Sequence, residues 1–281
     1  MKKRLSNFII VLMLIVGISL ILYPSFSNYW NSLRQSRVIT DYLQAVNKID
    51  AISYDNILRR AKEYNEKLYE NGNTLVLNDD QRAEYEKQLD ILGNGMMGYI
   101  EIPKIQCFLP IYHGSTDAVL QVAIGHLEGS SLPIGGESTH SVLSGHRGLP
   151  SSVLFTDLDK MKTGDTFTLQ MLGETLVYEV DRIATVLPHE IQSLAIEEGE
   201  DYCTLMTCTP YGINTHRLLV RGRRVELPDS KETKIHIVGD ALRISPYISA
   251  TVVATPILTV IFLLIIVKAS RKRKKTANNR K

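Results

Sequence analysis

Two uninterrupted apolar runs bracket the chain. Residues 8–23 are almost wholly apolar and follow Lys2, Lys3 and Arg4, while residues 248–267 supply 20 positions without a charge. A run of that length and composition predicts a membrane-spanning helix. The first run reads as an uncleaved anchor in preference to a cleaved signal peptide, because Ser25-Phe26-Ser27 is a poor cleavage site. Between residues 27 and 71 the apolar positions recur every three or four residues, with Val38, Tyr42, Leu43, Val46 and Ile49 in one half and Ile57, Leu58, Ala61, Tyr64 and Leu68 in the other. That period predicts two amphipathic helices broken near residues 50–55. Residues 71–95 turn polar and irregular, with a short helix predicted at 81–92. After Gly98 the texture changes to short strands at 99–102, 108–112, 141–145, 166–172, 175–186, 202–208 and 217–225, with short helices at 116–122, 152–157 and 189–194. Strands at this spacing predict a mainly β unit, an antiparallel sandwich or barrel.

Charge adds an orientation. The formal net charge of +2 hides eleven basic residues in the two tails, three before residue 5 and eight from Lys268 to the end, with no acid beside them. Removing those eleven from the 32 basic residues leaves 21 against all 30 acids, a formal charge of −9 for the middle. Basic flanks mark the cytoplasmic side, so both termini are expected inside and the acidic middle outside. An acidic folded unit also disfavours a nucleic-acid partner.

Three cysteines, an odd number without a Cys-x-x-Cys spacing, argue against a disulfide framework and a structural zinc site. No metal or cofactor site is expected, since no Gly-rich loop opens a helix as phosphate binding requires. Cys107 and Cys203 read as small buried hydrophobes. Cys208 stands in a different context. Residues 202–208 and 217–225 form the two arms of a hairpin, with Pro210, Gly212 and Asn214 between them. If residues 209–216 are the loop, Cys208 and Arg217 close it, side by side on one face. A fixed cation favours the nucleophilic thiolate, and the guanidinium fork can hold a carbonyl oxygen that becomes negative during acyl transfer. Such chemistry needs a general acid and base, usually a distant His. The best candidate is His146, where the run Val142-Leu143-Ser144 ends in Gly145-His146-Arg147-Gly148. His113, His126, His140, His189, His216 and His236 read as structural, and Arg221, Arg223 and Arg224 as solvated strand-face charges.

Together, Thr-Leu-Met-Thr-Cys208, the Arg217 preceding Leu-Leu-Val-Arg, and Ser-Gly-His146-Arg resemble the three catalytic motifs of the sortase family, membrane-bound cysteine transpeptidases of Gram-positive bacteria; the likeness covers residues 98–226. The resemblance implies a closed eight-stranded β-barrel and catalysis by His146, Cys208 and Arg217. It also implies cleavage of a Leu-Pro-any-Thr-Gly-like sorting signal between Thr and Gly through a thioacyl enzyme. In the pilus-building class C, which the C-terminal apolar run favours, a lysine amine of a pilin subunit resolves that intermediate. Class C enzymes place a lid with an Asp-Pro-aromatic triplet before the barrel, and this chain has no such triplet. A shortened or absent lid and a reach of Asp79 or Asp80 to Arg217 are both open. The expected layout is an anchor at 1–26, a helical extension at 27–71, a lid-like or linker segment at 72–97, the catalytic barrel at 98–228, a linker at 229–246, a transmembrane helix at 247–268 and a basic cytoplasmic tail at 269–281. Expected partners are pilin or surface-protein substrates with a C-terminal sorting signal, a lysine-bearing pilin acceptor and the membrane. A housekeeping wall-anchoring sortase, another cell-wall cysteine acyl-transferase or peptidase, and a catalytically silent membrane scaffold are the competing readings.

Overall fold

The computed structural model describes residues 2–72 and 76–226. The expected C-terminal transmembrane helix, its linker and its basic tail lie outside the described residues. The described residues divide into two units, residues 2–26 and residues 27–226. The described part of the first unit is the start of helix α1 (Lys2–Val46), whose side chains Ile9, Ile10, Leu12, Met13, Val16, Leu20 and Ile21 are exposed. Among the described residues α1 is the one helix long and apolar enough to cross a membrane. It continues without a break through Pro24 into the second unit, so the expected anchor and first extension helix are a single element.

The second unit is built on a closed barrel of eight strands: β1 (Met96–Ile102), β2 (Cys107–His113), β3 (Ile124–His126), β4 (Thr139–Ser144), β5 (Thr166–Met171), β6 (Glu174–Val186), β7 (Asp201–Thr209) and β8 (His216–Val225). Their order around the barrel is β1-β2-β3-β4-β7-β8-β6-β5. Most neighbours are antiparallel; β2 with β3 and β4 with β7 are parallel. Alternation sends Ile100, Ile102, Leu109, Ile111, Leu143, Leu169, Val180, Leu205 and Val220 into one core with Phe167 and Tyr178, whose rings stack at 5.5 Å. Gly222 leaves room for that stack, because a Cβ there would lie 2.6 Å from the Phe167 ring.

Helix α2 (Ala51–Glu70) begins at the Asp50 cap and buries Ala61, Tyr64 and Asn65. The Asn65 amide bonds Leu132 both ways, donating to its carbonyl at 3.1 Å and accepting from its N–H at 2.7 Å. From α1, Ile39 and Tyr42 pack on Met96 and Tyr99, and the Tyr42 hydroxyl donates to the Met97 carbonyl at 2.9 Å.

Residues 76–95 hold helix α3 (Asp79–Tyr85), shorter than the expected 81–92 helix. Fully buried Tyr85 donates its hydroxyl to Nδ1 of His126 at 2.8 Å and accepts from the Gly114 N–H at 3.0 Å. Further polar ties of this segment run from Arg82 to Glu128, from Lys67 to Glu84, and from His113 to the Gly95 carbonyl. Among the described residues none of these ties reaches Cys208, His146 or Arg217.

Candidate active site

Three neighbouring strands carry the candidate residues to one end of the barrel. β7 and β8 pair with Cys208 opposite Arg217, Met206 opposite Leu219, and Thr204 opposite Arg221. β4 runs parallel to β7 with His140 beside Tyr202, Val142 beside Thr204 and Ser144 beside Met206. The ladder ends at Ser144, and His146 follows two residues beyond that strand end. Leu143, Cys203, Leu205 and Val220 belong to the interior cluster, whereas Val142 and Leu219 join Leu194 in a separate outer cluster. By the two-residue period, Cys208 and Arg217 therefore share the outer face. All three candidate residues are half-buried.

The hairpin is one pair longer than expected. Thr209 still pairs with His216, leaving a six-residue connection instead of eight. Pairing stops at Pro210, which has no N–H for the ladder, and Gly212 and Asn214 turn the chain in left-handed conformations at φ 75° and 61°. The loop side chains Tyr211 and Ile213 are exposed.

Backbone and side-chain ties hold His146 at its strand end. The Gly145 N–H donates to the Met206 carbonyl at 3.0 Å, and the Thr207 hydroxyl donates to the Gly145 carbonyl at 2.7 Å. Gly145 tolerates no side chain, since a Cβ would lie 2.7 Å from both Ile124 and Phe155. On the other side Arg147 donates through Nε to the Thr156 carbonyl and through Nη1 to Thr209, pairs with Asp159, and lies over the Tyr211 ring. The ring nitrogens of His146 have no hydrogen-bond partner among the described residues.

The three candidates keep unused bonding capacity. Arg217 bonds the carbonyls of Asn214 and His216 at 3.4 and 3.2 Å through Nη1, and no carboxylate pairs with it among the described residues. Arg221, expected as a solvated charge, is instead fully engaged. It forks onto Asp181 at 2.7 and 3.1 Å, reaches Glu197 at 3.0 Å and stacks 3.9 Å above the Tyr202 ring. The other thiols are inert by burial, which pushes both Cys107 and Cys203 well above the ordinary thiol value. His126 is buried between Tyr85 and the Ser131 carbonyl, and burial lowers it to about 4. His140 is also lowered by burial; its Nδ1–H donates to the Ala195 carbonyl and its Nε2 accepts from the Thr204 hydroxyl. That bond ties the 187–200 connection to the outer face. Sequence reading passed over Arg147, Thr207 and Thr209; their one signal was adjacency to His146 and Cys208. Among the described residues no set of three or more His, Cys, Asp or Glu side chains is grouped to hold a metal.

Residues 100–225 match the model of the Sortase domain family. A crystal structure of sortase C1 from Streptococcus agalactiae is 56% identical to this chain, with a TM-score of 0.67 over 68% of this chain and 100% of that one. A structure of Clostridium perfringens sortase C with the C-terminal cell wall sorting motif is 44% identical, with a TM-score of 0.58 over 68% and 99% of the two chains. Sortase A of Bacillus anthracis is 26% identical over 79% of this chain and 95% of its own length. With the barrel order, the motif positions and this degree of identity in agreement, the chain belongs to the sortase family of cysteine transpeptidases.

Proposed function

We propose that this sortase is of class C and polymerises pilins at the outer face of the cell membrane, with Cys208 as nucleophile, His146 as general acid and base, and Arg217 as carbonyl and oxyanion binder. The Cys208 thiolate attacks the Thr carbonyl carbon of a Leu-Pro-x-Thr-Gly-like signal. As the C–N bond breaks, His146 gives its proton to the departing glycine amine, leaving a thioester on Cys208. A pilin lysine amine then attacks that carbonyl, His146 takes the amine proton, and the thiolate leaves. Dividing amide exchange into two acyl transfers lowers each barrier. The observation that carries the reading is Arg217, the pairing partner of Cys208, left without a carboxylate among the described residues. Its free donors are available to a carbonyl oxygen. The substrate class is supported by the Clostridium perfringens sortase C structure, which is a complex with the C-terminal cell wall sorting motif. In topology, α1 is the candidate anchor, and the acidic composition of the middle favours an external catalytic unit.

The test is incubation with a sorting-signal peptide followed by intact-mass spectrometry, then with purified pilin candidates. A mass increase equal to the acyl portion, mapped to Cys208 and absent in Cys208→Ala, supports the chemistry. Ladders of covalent pilin multimers support class C. An acyl adduct without multimers, resolved by wall-peptide amines, would favour the wall-anchoring reading.

A further inference from the structure

A base in this kind of catalysis is ordinarily oriented by a third group, yet no side chain bonds the His146 ring among the described residues. Its orientation must come from the backbone that carries it. The loop following β4 is closed at its root, where the Phe155 N–H donates to the His146 carbonyl at 3.1 Å and the Gly148 N–H to the Thr156 hydroxyl at 3.1 Å. One flank is fixed to β7 through Gly145 and Arg147. The tip is a short bridge between Leu149 and Ser152, with Val153 exposed beside it. Its side-chain hydrogen bonds both run to α1. Asn31 Nδ2 donates to the Ser151 carbonyl at 2.8 Å, and the Val153 N–H donates to Asn28 Oδ1 at 3.1 Å. Residues three apart share a helix face. One turn on, buried Gln35 donates to the Val122 carbonyl at 2.7 Å, just before β3, the antiparallel partner of β4. The same face of α1 thus grips both loops flanking the His146 end of β4.

We infer that Asn28 and Asn31 of α1 are positioning residues for His146, acting through the 149–153 loop tip in place of an orienting side chain. This rests on the assignment of His146 as acid and base. The two amides do opposite jobs: Asn28 accepts and Asn31 donates. A carboxylate can replace the first, but at the second it would face a carbonyl with no proton to give.

The full-length protein in detergent micelles, turning over a sorting-signal peptide, distinguishes the two. Asn31→Asp should lower kcat about tenfold with KM unchanged, within the range that a misplacement of about an ångström can cost. Asn28→Leu should show a similar loss, which Asn28→Asp recovers. A helix-stability role predicts no such opposite response, and thermal midpoints within about 2 °C across the set would separate positioning from unfolding. Wild-type kcat in Asn31→Asp and Asn28→Leu, while His146→Ala is inactive, overturns the inference and leaves the site assignment standing. Turnover surviving in His146→Ala overturns the assignment itself.

Discussion

On β7, Cys203 and Cys208 stand five residues apart, an odd number that sends them to opposite faces of the barrel wall. Cys203 lies in the interior cluster beside Leu205 and Val220, fully buried, where desolvation and then the nearby Asp201 charge push its thiol up. Cys208 lies on the outer face, half-buried and opposite a cation. The next strand repeats the contrast along its length. Arg221 is committed to Asp181, Glu197 and Tyr202, whereas Arg217, four residues earlier, holds two main-chain carbonyls at long distance. Composition alone would treat these pairs as equivalent. What separates the members of each pair is unused bonding capacity at a strand end, with the same residue types fully satisfied a few residues away.

The sharpest way to break that contrast is to remove the guanidinium fork from each arginine in turn. Arg217→Lys keeps the charge but loses the planar donors, and should cost about 10² to 10³ in turnover, the scale of losing an oxyanion donor. Arg221→Lys should leave turnover within a few-fold and lower the thermal midpoint by about 2–4 °C, as for roughly 1 kcal/mol lost from an ion network. Equal losses of turnover would show that Arg217 has no special role.

Brief iodoacetamide treatment tests the cysteines. Cys208 should label on the order of 10² times faster than Cys203 or Cys107, whose labelling must await local opening. Peptide mass spectrometry reads the ratio, and comparable labelling of Cys203 would contradict the facing assigned to β7.

The histidines bear on stability and leave turnover aside. His126, lowered to about 4 by burial in the folded state and near 6.5 when unfolded, binds fewer protons in the native state between those values. Its contribution is complete above about pH 6.5 and is lost as pH falls toward 4, roughly 3 kcal/mol at most. Buried His140 is displaced in the same direction. Denaturant unfolding of wild type and His126→Asn at pH 7 and pH 4.5 should show a shallower pH dependence in the variant; parallel curves would rule out His126 as the source.

The barrel was legible where strands are long enough to alternate. β3 was not, because three residues, Ile124–His126, carry no period, and its pairing with β2 and β4 is a long-range matter. The helix expected at 152–157 fails because long-range bonds claim its main chain: the Phe155 N–H goes to His146 and the Thr156 carbonyl to Arg147. Cys208 and Arg217 could be paired from the turn residues, though the ladder runs one step further, to Thr209 and His216. Arg221 was misread because its partners Asp181 and Glu197 lie 40 and 24 residues away. His146 could be named from its motif. Its support by Asn28 and Asn31, some 120 residues earlier, leaves no local trace.

The parallel pairing of β4 with β7 joins residues 62 apart, and no tight turn can bring such strands together. A chain emerging during synthesis passes through a long interval in which His146 exists and Cys208 does not, and then one in which the thiol is present but has no β8 beside it. Non-local pairings of this kind are slow to close. The pairing of Cys208 with Arg217 is thus a late product of assembly. Until the last two strands pair, the Cys208 thiol has no guanidinium opposite it.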